Sequence, residues 1–247
     1  MEQTSSKNKL NIAIVQAYDN NIREYAEYSR LLNAMYAHEK GYTYIAFEYD
    51  LTPSHVSVYY NKIIAVSTVL KDPQNFDWVL YLDSDAAVCN FEYNIEDIIA
   101  RHADKEIIIV QDPDMETSSI GVFIIKNTPK MLECLKKTYD DRSFYHTQTP
   151  EQTAMLTYLL EDPEYMDLVG GEPSAVLSAY LRIYSDLNAK SQQETWTDES
   201  FIVHFFCLST SDRANLFRRL LATNKIICIA QPPEIPKLKS QFLNIKI

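Results

Sequence analysis

The sequence predicts an α/β fold with a mostly parallel central sheet and helices on both faces. Strand-like and helix-like segments alternate through the first half of the chain, which is the order typical of a doubly wound parallel sheet. In addition, residues 78–82 (WVLYL) form an uninterrupted apolar run. Such a run indicates a strand that is buried on both faces. We therefore expect a single α/β domain with this strand near its centre.

The first half of the chain predicts the order strand, helix, strand, helix, strand. The five segments are 11–15, 22–40, 42–47, 55–70 and 78–82. Gly41 ends the first helix, because glycine readily adopts the left-handed conformation that follows many helices. A short helix at 94–100 and strands at 106–110 and 122–125 are expected next.

The second half of the chain is less regular. Helices are expected at 129–139, 150–160 and 212–222, the last one behind a Ser211 cap, and strands at 175–177, 201–206 and 226–229. The segment 173–200 has no clear pattern and is expected to contain loops near a site. The proline-rich tail, 232–236, is expected to pack along the surface.

Composition and charge exclude several classes of protein. The 247 residues are 46% hydrophobic and 23% charged, as in an ordinary globular domain. The net charge of −11 argues against nucleic acid and anionic membranes as partners. With only 4 glycines, the chain contains no glycine-rich dinucleotide or phosphate loop.

The cysteines and the N-terminal segment suggest a compartment. The 4 cysteines lie far apart with no C-x-x-C pair, so we expect free thiols in a reducing environment. Residues 1–11 are polar and contain neither a signal peptide nor a membrane segment. We therefore expect a cytoplasmic protein, or one of the Golgi lumen if an anchor has been removed.

An aspartate pair, Asp83-Ser84-Asp85, directly follows the predicted central strand. Carboxylates at the end of such a strand point into the crevice where open α/β sheets bind ligands. Their oxygen atoms suit Mg²⁺ or Mn²⁺. The spacing alone is a weak signal, since Asp112-Pro113-Asp114 repeats it. A turn with solvated acids is the alternative interpretation.

Two further residues have both a structural and a functional interpretation. His204 lies in the otherwise apolar run 201–206, where a buried imidazole needs a polar partner. It is either a core histidine bonded to a backbone carbonyl or a third cation ligand, a mixture that Mn²⁺ accepts better than Mg²⁺. Lys62, on the second predicted helix, either directs its ammonium at a phosphate or is solvated.

Four more residues remain open in the same way. Thr149-Pro150-Glu151-Gln152 matches a capping box, and Glu151 in a first helical turn is also favoured by the helix dipole. Arg213 pairs either with a phosphate or with Asp212. Tyr18 follows the first predicted strand, at the edge of the crevice, where a planar base could stack.

Short motifs in a fixed order connect these residues to a known family. They are Asn33-Ala34-Met35-Tyr36-Ala37, Gly41-Tyr42, Lys62-Ile63, Trp78 to Asp85, Gly121 to Ile125, Glu151-Gln152 and His204-Phe205. Together they resemble the nucleotide-sugar glycosyltransferases of the GT-A fold over roughly residues 10–213. The galactosyl-, mannosyl- and xylosyltransferase family is the nearest likeness, and glycogenin-type enzymes are similar.

This resemblance implies a function and a set of site residues. It implies transfer of a sugar from a UDP-sugar to a glycan, glycoconjugate or other hydroxyl acceptor, with Mn²⁺ or Mg²⁺ as cofactor. The implied metal ligands are Asp83, Asp85 and His204, and the implied catalytic residues, at the donor sugar, are Glu151 and Gln152. The implied cofactor-binding residues are Gln16, Ala17, Tyr18, Lys62, Ser84 and Arg213, with Lys62 at the diphosphate and Tyr18 at the base.

The resemblance also implies a division of the chain and a stereochemical course. Residues 1–247 form one domain, with a nucleotide-binding half at 10–110, an acceptor and sugar half at 111–230 and a tail at 231–247. The anomeric configuration is expected to be retained, the leaving phosphate taking the acceptor's proton. Inversion would instead require a base such as Glu151 or Asp114.

The chain departs from the family pattern at four places. Ala34 replaces a lysine, Ser119-Ile120-Gly121 replaces an Asn-x-Gly, Glu151 replaces an aspartate, and Cys207 stands where a glycine follows the histidine. These departures affect the donor-sugar pocket more than the fold.

Other functions fit the sequence less well. A sugar-nucleotide pyrophosphorylase needs a glycine-rich basic loop near its N-terminus. An aspartate-nucleophile phosphatase needs a threonine where Ala87 stands. A glycosidase relies on paired carboxylates without a metal. A non-catalytic nucleotide-sugar or carbohydrate-binding module on the same fold remains the alternative.

Overall fold

The computed structural model describes residues 9–111, 118–180, 196–197 and 199–223. The strands are β1 Ile12–Ala17, β2 Thr43–Phe47, β3 Trp78–Leu82, β4 Ala86–Val88, β5 Ile107–Gln111, β6 Ser118–Lys126, β7 Val169–Glu172 and β8 Ile202–His204. The helices are α1 Arg23–Lys40, α2 Asn61–Leu70, α3 Ile95–Arg101, α4 Pro129–Asp140, α5 Pro150–Glu161, α6 Pro163–Met166, α7 Ser174–Leu177 and α8 Thr210–Thr223.

Six strands form the central sheet in the order β2-β1-β3-β6-β5-β7. β6 runs antiparallel to its neighbours β3 and β5, and the other pairs are parallel. β4 and β8 form a separate antiparallel pair. The prediction of a mostly parallel central sheet is therefore confirmed.

Both faces of β3 are buried, as the apolar run predicts. Val79 and Tyr81 belong to a core that includes residues of α2 and α4. Trp78 and Leu80 belong to a second core, on the opposite face, with residues of α1 and α3. Each large apolar side chain removed from water contributes about 1.5–3 kcal/mol to folding. Helices therefore cover the sheet on both sides, and β3 lies in the middle.

Several predicted elements differ in place or type. The strand expected at 175–177 is wrong, because these residues lie in the short helix α7. An apolar run of three residues cannot by itself distinguish helix from strand. The helix expected at 55–70 starts later, with a 3₁₀ turn at Val58–Tyr60 before α2. β4 is too short to show a pattern, and the two glycines of β7 weaken its strand propensity.

The predicted Ser211 cap of α8 is also wrong. The hydroxyl of Ser209 accepts a hydrogen bond from the backbone N–H of Asp212 at 3.2 Å, because the helix begins at Thr210. The predicted strand at 226–229, the tail at 232–236 and the acid pair Asp112 and Asp114 lie outside the described residues. Among the helices that are described, none combines the length and apolarity needed to cross a membrane.

Candidate metal centre

The acid pair lies at the edge of the sheet where β1, β3 and β5 end. Asp83 directly follows β3, and its backbone N–H donates to the carbonyl of Gly121 on β6 at 2.8 Å. A tight turn follows, in which the N–H of Ala86 donates to the carbonyl of Asp83 at 2.9 Å. This turn brings Asp85 back beside Asp83. Open α/β sheets bind ligands at this edge.

His204 reaches the acid pair because β8 pairs with β4. In the register of this pair Ala86 lies opposite His204, although the two are far apart in the chain. One ligand atom from each of Asp83, Asp85 and His204 lies within 4.8 Å of the others. The Nε2 atom of His204 is 3.1 Å from Oδ1 of Asp85. The three residues predicted as metal ligands therefore converge.

The second ring nitrogen of His204 has a partner of its own. Nδ1 lies 3.0 Å from the hydroxyl of Ser178, which precedes the bridge between Ala179 and β8. The tautomer with its proton on Nδ1 donates to Ser178 and leaves the lone pair of Nε2 for a cation. The alternative of a core histidine bonded to a backbone carbonyl is not what the ring contacts show.

Gly121 leaves the space that the imidazole occupies. A Cβ atom at this position would clash with Cε1 of His204 and lie 3.0 Å from Oδ2 of Asp83. A larger residue here would therefore push the histidine away from the acids. Two carboxylates and one imidazole around such a space are a donor set that suits Mn²⁺.

Lys62 is part of this cluster rather than a solvated helix residue. Its Nζ atom is 3.1 Å from Oδ1 of Asp83 and 3.2 Å from Oε1 of Glu151, and its side chain is only 7% exposed. Burial alone would lower the pKa of Lys62, but Asp83 and Glu151 raise it, so the ammonium keeps its charge. Lys62 thus joins the acid pair to the start of α5.

Asp83 is held by two side chains but is the less stabilised acid. Besides Lys62, the hydroxyl of Tyr81 donates to Oδ1 of Asp83 at 3.1 Å. Burial raises the pKa of Asp83, against the attraction of Lys62, and the negative charge of Asp85 raises it further.

Asp85 has the opposite balance. Its Oδ2 atom is 3.0 Å from the guanidinium of Arg213, and its Oδ1 atom faces His204. Burial alone would raise the pKa of Asp85, but His204 and then Arg213 outweigh it and lower the pKa to about 2. Arg213 therefore pairs with Asp85 and not with Asp212, whose carboxylate accepts from Ser209.

The two predicted catalytic residues lie at the first turn of α5. Glu151 is 1% exposed, and its Oε2 atom has no hydrogen-bond partner among the residues that the structure describes. The side chain of Thr149 makes no capping hydrogen bond, so the capping box is wrong. The side chain of Gln152 turns instead to β6, where Oε1 accepts from Ser119 Oγ at 3.3 Å and from the N–H of Ile120 at 3.2 Å.

The predicted nucleotide-binding residues at the end of β1 are buried, and Gln16 contacts the acid loop, the turn of residues 83–86 that follows β3. Gln16 is fully buried, and its amide donates to the carbonyls of Asp83 at 3.1 Å and Ala86 at 3.4 Å. Ala17 and Tyr18 are 8% and 3% exposed. The carbonyl of Ser84 accepts from Ser29 at 2.6 Å. Contact of these four residues with a nucleotide stays a prediction.

Several residues that support the acids were not predicted from the sequence. Tyr81 could have been found, because it stands two residues before Asp83 on a strand and so points to the same face. Ser178 could not, because the segment around it has no pattern. Tyr25 and Ser29, both on α1, approach the acid loop only because the helix packs there.

Comparisons with known proteins agree with this architecture. The model of the galactosyl transferase GMA12/MNN10 family matches residues 4–115. No curated protein sequence matches the chain significantly. Among solved structures, a glycosyltransferase involved in the glycosylation of the major capsid of PBCV-1 is similar, with a TM-score of 0.67 and 15% identity. The similarity covers 85% of this chain and 99% of that one.

Two further solved structures share the fold over part of their length. The bifunctional glycosyltransferase WbbM has a TM-score of 0.55 and 11% identity, over 87% of this chain and 50% of WbbM. GlyE of Streptococcus pneumoniae TIGR4 has a TM-score of 0.50 and 14% identity, over 85% of this chain and 64% of GlyE. At such identities these structures establish the fold, which is GT-A as predicted. The predicted resemblance to GT-A glycosyltransferases is confirmed.

Proposed function

We propose that this chain is a metal-dependent glycosyltransferase that moves a sugar from a nucleoside diphosphate sugar, a UDP-sugar, to a hydroxyl group of a glycan or glycoconjugate. The observation that carries the proposal is the convergence of Asp83, Asp85 and His204 next to a buried lysine. Neither feature alone is specific. A cation site beside an ammonium, at the ligand-binding edge of a GT-A sheet, suits a diphosphate.

The charge of the site supports an ion as cofactor. Three carboxylates, on Asp83, Asp85 and Glu151, face two permanent cations, on Lys62 and Arg213, which leaves one negative charge in excess. The chain as a whole carries a charge of −11. A diphosphate would be repelled from such a cleft. Asp83, Asp85 and His204 would hold a divalent cation, which would make the local charge positive and supply charge neutralisation for the leaving diphosphate.

Lys62 stabilises the same developing charge from the other side. Its ammonium is held between Asp83 and Glu151, so it is fixed at the edge of the site before any ligand binds. Fixed charges of this kind need no reorganisation when the bond to the anomeric carbon breaks. The cofactor-binding roles of Gln16, Ala17, Tyr18, Ser84 and Arg213 are part of this proposal, with Tyr18 at the base and Arg213 acting through its ion-pair partner Asp85.

Glu151 and Gln152 are proposed to act at the donor sugar. The unpaired Oε2 atom of Glu151 is a buried acceptor that a sugar hydroxyl could satisfy. The amide of Gln152 is anchored through its oxygen on β6, which orients the side chain at the same edge. Residues 10–110 would then bind the nucleotide, and residues 111–230 the sugar and acceptor.

Retention of the anomeric configuration is favoured over inversion. Inversion needs a base such as Glu151 or Asp114. The Oε1 atom of Glu151 is held by the ammonium of Lys62 at 3.2 Å, and Asp114 lies outside the described residues. In retention the acceptor's proton passes to the departing phosphate oxygen, so the protein does not have to supply a base. Anomeric analysis of the product by NMR distinguishes the two courses.

The second candidate is a non-catalytic nucleotide-sugar or carbohydrate-binding module on the same fold. Its support is the burial of Tyr18, which is only 3% exposed and so presents little surface to a base. The two candidates differ in one reaction, because a transferase slowly hydrolyses its own donor when no acceptor is present and a binding module does not.

The deciding experiment combines a screen with a hydrolysis assay. Thermal shift measurements with a panel of UDP- and GDP-sugars, each with and without Mn²⁺, identify the donor, because a ligand at 100 times its Kd stabilises by about 2.7 kcal/mol. The best donor is then incubated with protein and Mn²⁺, and release of nucleoside diphosphate is followed. Hydrolysis that stops with a chelator is expected. Donor binding that survives chelation, without hydrolysis, would favour the binding module.

A further inference from the structure

Arg213 lies in the first turn of α8, and its side chain contacts both Asp85 and the carbonyl of Phe205, the residue after His204. We propose that Arg213 is the positioning residue of this centre, which holds Asp85 and the His204 strand in the arrangement that binds the ion. The inference rests on the proposed metal dependence. It differs from a phosphate-binding role, in which the guanidinium would contact only the ligand.

Three hydrogen bonds form a closed ring around Asp85. The Nη2 atom of Arg213 is 3.0 Å from Oδ2 of Asp85, and Nε of Arg213 donates to the carbonyl of Phe205 at 2.8 Å. The N–H of Phe205 in turn donates to the backbone carbonyl of Asp85 at 2.8 Å. Phe205 directly follows His204. One side chain therefore ties together the two segments that carry metal ligands.

The hydrogen-bond ring leaves one oxygen of Asp85, Oδ1, available to the ion. Arg213 occupies Oδ2 of Asp85, whereas Oδ1 faces Nε2 of His204 at 3.1 Å. A carboxylate that is bonded through one oxygen has a fixed rotamer and presents the other oxygen to the cation. Because the two ligands are distant in the chain, their separation is set by the pairing of β4 with β8 and by side-chain contacts of this kind.

The guanidinium is itself engaged on its remaining side. It lies 5.0 Å from the ring centre of Tyr25, and Nη1 is 3.5 Å from the hydroxyl of that tyrosine. The hydroxyl of Tyr25 is 3.4 Å from Oγ of Ser84, between the two acids. Arg213 thus uses its planar fork on three protein partners, a geometry that lysine cannot reproduce. A phosphate would have to displace one of these contacts.

Arg218 provides a matched control on the same helix. Its guanidinium also lies 5.0 Å from the ring centre of a tyrosine of α1, Tyr28, and its Nε donates to that hydroxyl at 2.8 Å. Its further contact is with Asn215 of its own helix. Replacing Arg218 therefore weakens the packing of α8 on α1 but leaves the hydrogen bonds around Asp85 unchanged.

The test compares Arg213→Met, Arg213→Lys and Arg218→Met in the whole chain. The Kd for Mn²⁺, with no nucleotide present, is measured by isothermal titration calorimetry, and thermal unfolding is recorded without metal. We expect the Kd to rise about 10- to 100-fold in Arg213→Met, as for other residues that orient metal ligands. Arg213→Lys should be weaker than the parent, and Arg218→Met should keep the parental Kd even if its Tm falls.

The other outcomes contradict either the positioning role of Arg213 or the proposed metal dependence. If Arg213→Met binds Mn²⁺ as tightly as Arg218→Met, or more tightly, Arg213 does not position the ligands and the inference fails while the metal site stands. If Arg213→Met does not fold, parental affinity in Arg213→Lys overturns the inference. A parent chain that binds no Mn²⁺ refutes the proposed metal dependence itself, and the inference with it.

Discussion

The two acids of the candidate metal centre stand two residues apart and have opposite surroundings. Asp83 keeps 28% of its side chain exposed and shares one lysine with Glu151, and burial raises its pKa. Asp85 keeps 12% and contacts Arg213 and His204, and its pKa falls to about 2. Both acids have hydrogen-bond partners, but burial dominates the pKa of Asp83, whereas the partners of Asp85 together outweigh burial.

This difference indicates that the two acids have different structural roles. Asp85 is held by side-chain contacts with strand β8 and helix α8 before any ligand binds. The Asp83 side is open, and its ammonium partner is divided between two carboxylates. A ligand can therefore change the charge balance at Asp83 and Lys62 more easily than at Asp85. Four substitutions test the comparison.

The largest effect is expected from Asp85→Asn. It removes a ligand charge and leaves the guanidinium of Arg213 without its anionic partner. Mn²⁺-dependent donor binding and donor hydrolysis should both fall at least about 100-fold. Asp104→Asn, at an aspartate that is 78% exposed and precedes β5 at the opposite edge of the sheet, is the control and should behave as the parent. Tight metal-independent donor binding by Asp85→Asn would contradict the proposed site.

Lys62→Met should have the largest effect on stability. It leaves two carboxylates, on Asp83 and Glu151, without their buried cation, which costs about 3–5 kcal/mol for such pairs. Urea unfolding measures this cost, and adding Glu151→Gln should recover part of it. Affinity for UDP should fall as well.

The control for Lys62 is Lys105→Met, which breaks a partly exposed pair with Asp104 and a hydrogen bond to the carbonyl of the exposed Asp167. It should cost less than about 1 kcal/mol. Unchanged UDP affinity in Lys62→Met would remove Lys62 from the diphosphate site. A stability loss no greater than that of Lys105→Met would show that the buried pairing is not important for folding.

Gly121→Ala tests the space between the two sides of the centre. The new Cβ would meet both His204 and Asp83, so we expect weaker Mn²⁺ binding together with a stability loss of about 1–3 kcal/mol. Gly170→Ala is the matched control. Gly170 lies on the edge strand β7, and a Cβ atom there would also meet a histidine, at 2.6 Å from the ring of His102. Equal Mn²⁺ affinity in the two variants would contradict the role of Gly121.

Cys207→Gly should have the smallest effect. Cys207 has a φ of 60°, in the left-handed region that glycine prefers, at the position where the resembling family has glycine. Relief of this strain, roughly 1–2 kcal/mol for a non-glycine residue, exceeds the entropy that glycine loses. We expect a gain of about 0.5–1 kcal/mol in urea unfolding, and a loss in Cys207→Val. A loss in both would contradict this explanation.

Much of the fold follows from patterns that extend over one element. The strand Trp78–Leu82 has the bounds that were predicted. An uninterrupted apolar run is buried on both faces, and a strand of this kind lies in the interior of a sheet that is covered by helices on both sides. The ends of α1 and α4 also follow from local signals: Gly41 lies just beyond α1, and Pro129 is the first residue of α4. The short elements β4, β7 and α7 did not follow, because their form depends on neighbours that are distant in sequence.

In the candidate site, too, some features follow from the sequence and others depend on the tertiary structure. The sequence by itself determined which chemical groups are present: an acid pair behind a central strand, a buried histidine and a lysine one helix earlier. Only the tertiary structure decided which of them meet. The ammonium of Lys62 lies between Asp83 and Glu151. The side chain of Gln152 bonds to β6 rather than capping its helix, and Arg213 forms an ion pair with Asp85. Residue types and spacing are local properties, whereas distances between segments depend on how strands pair and helices pack.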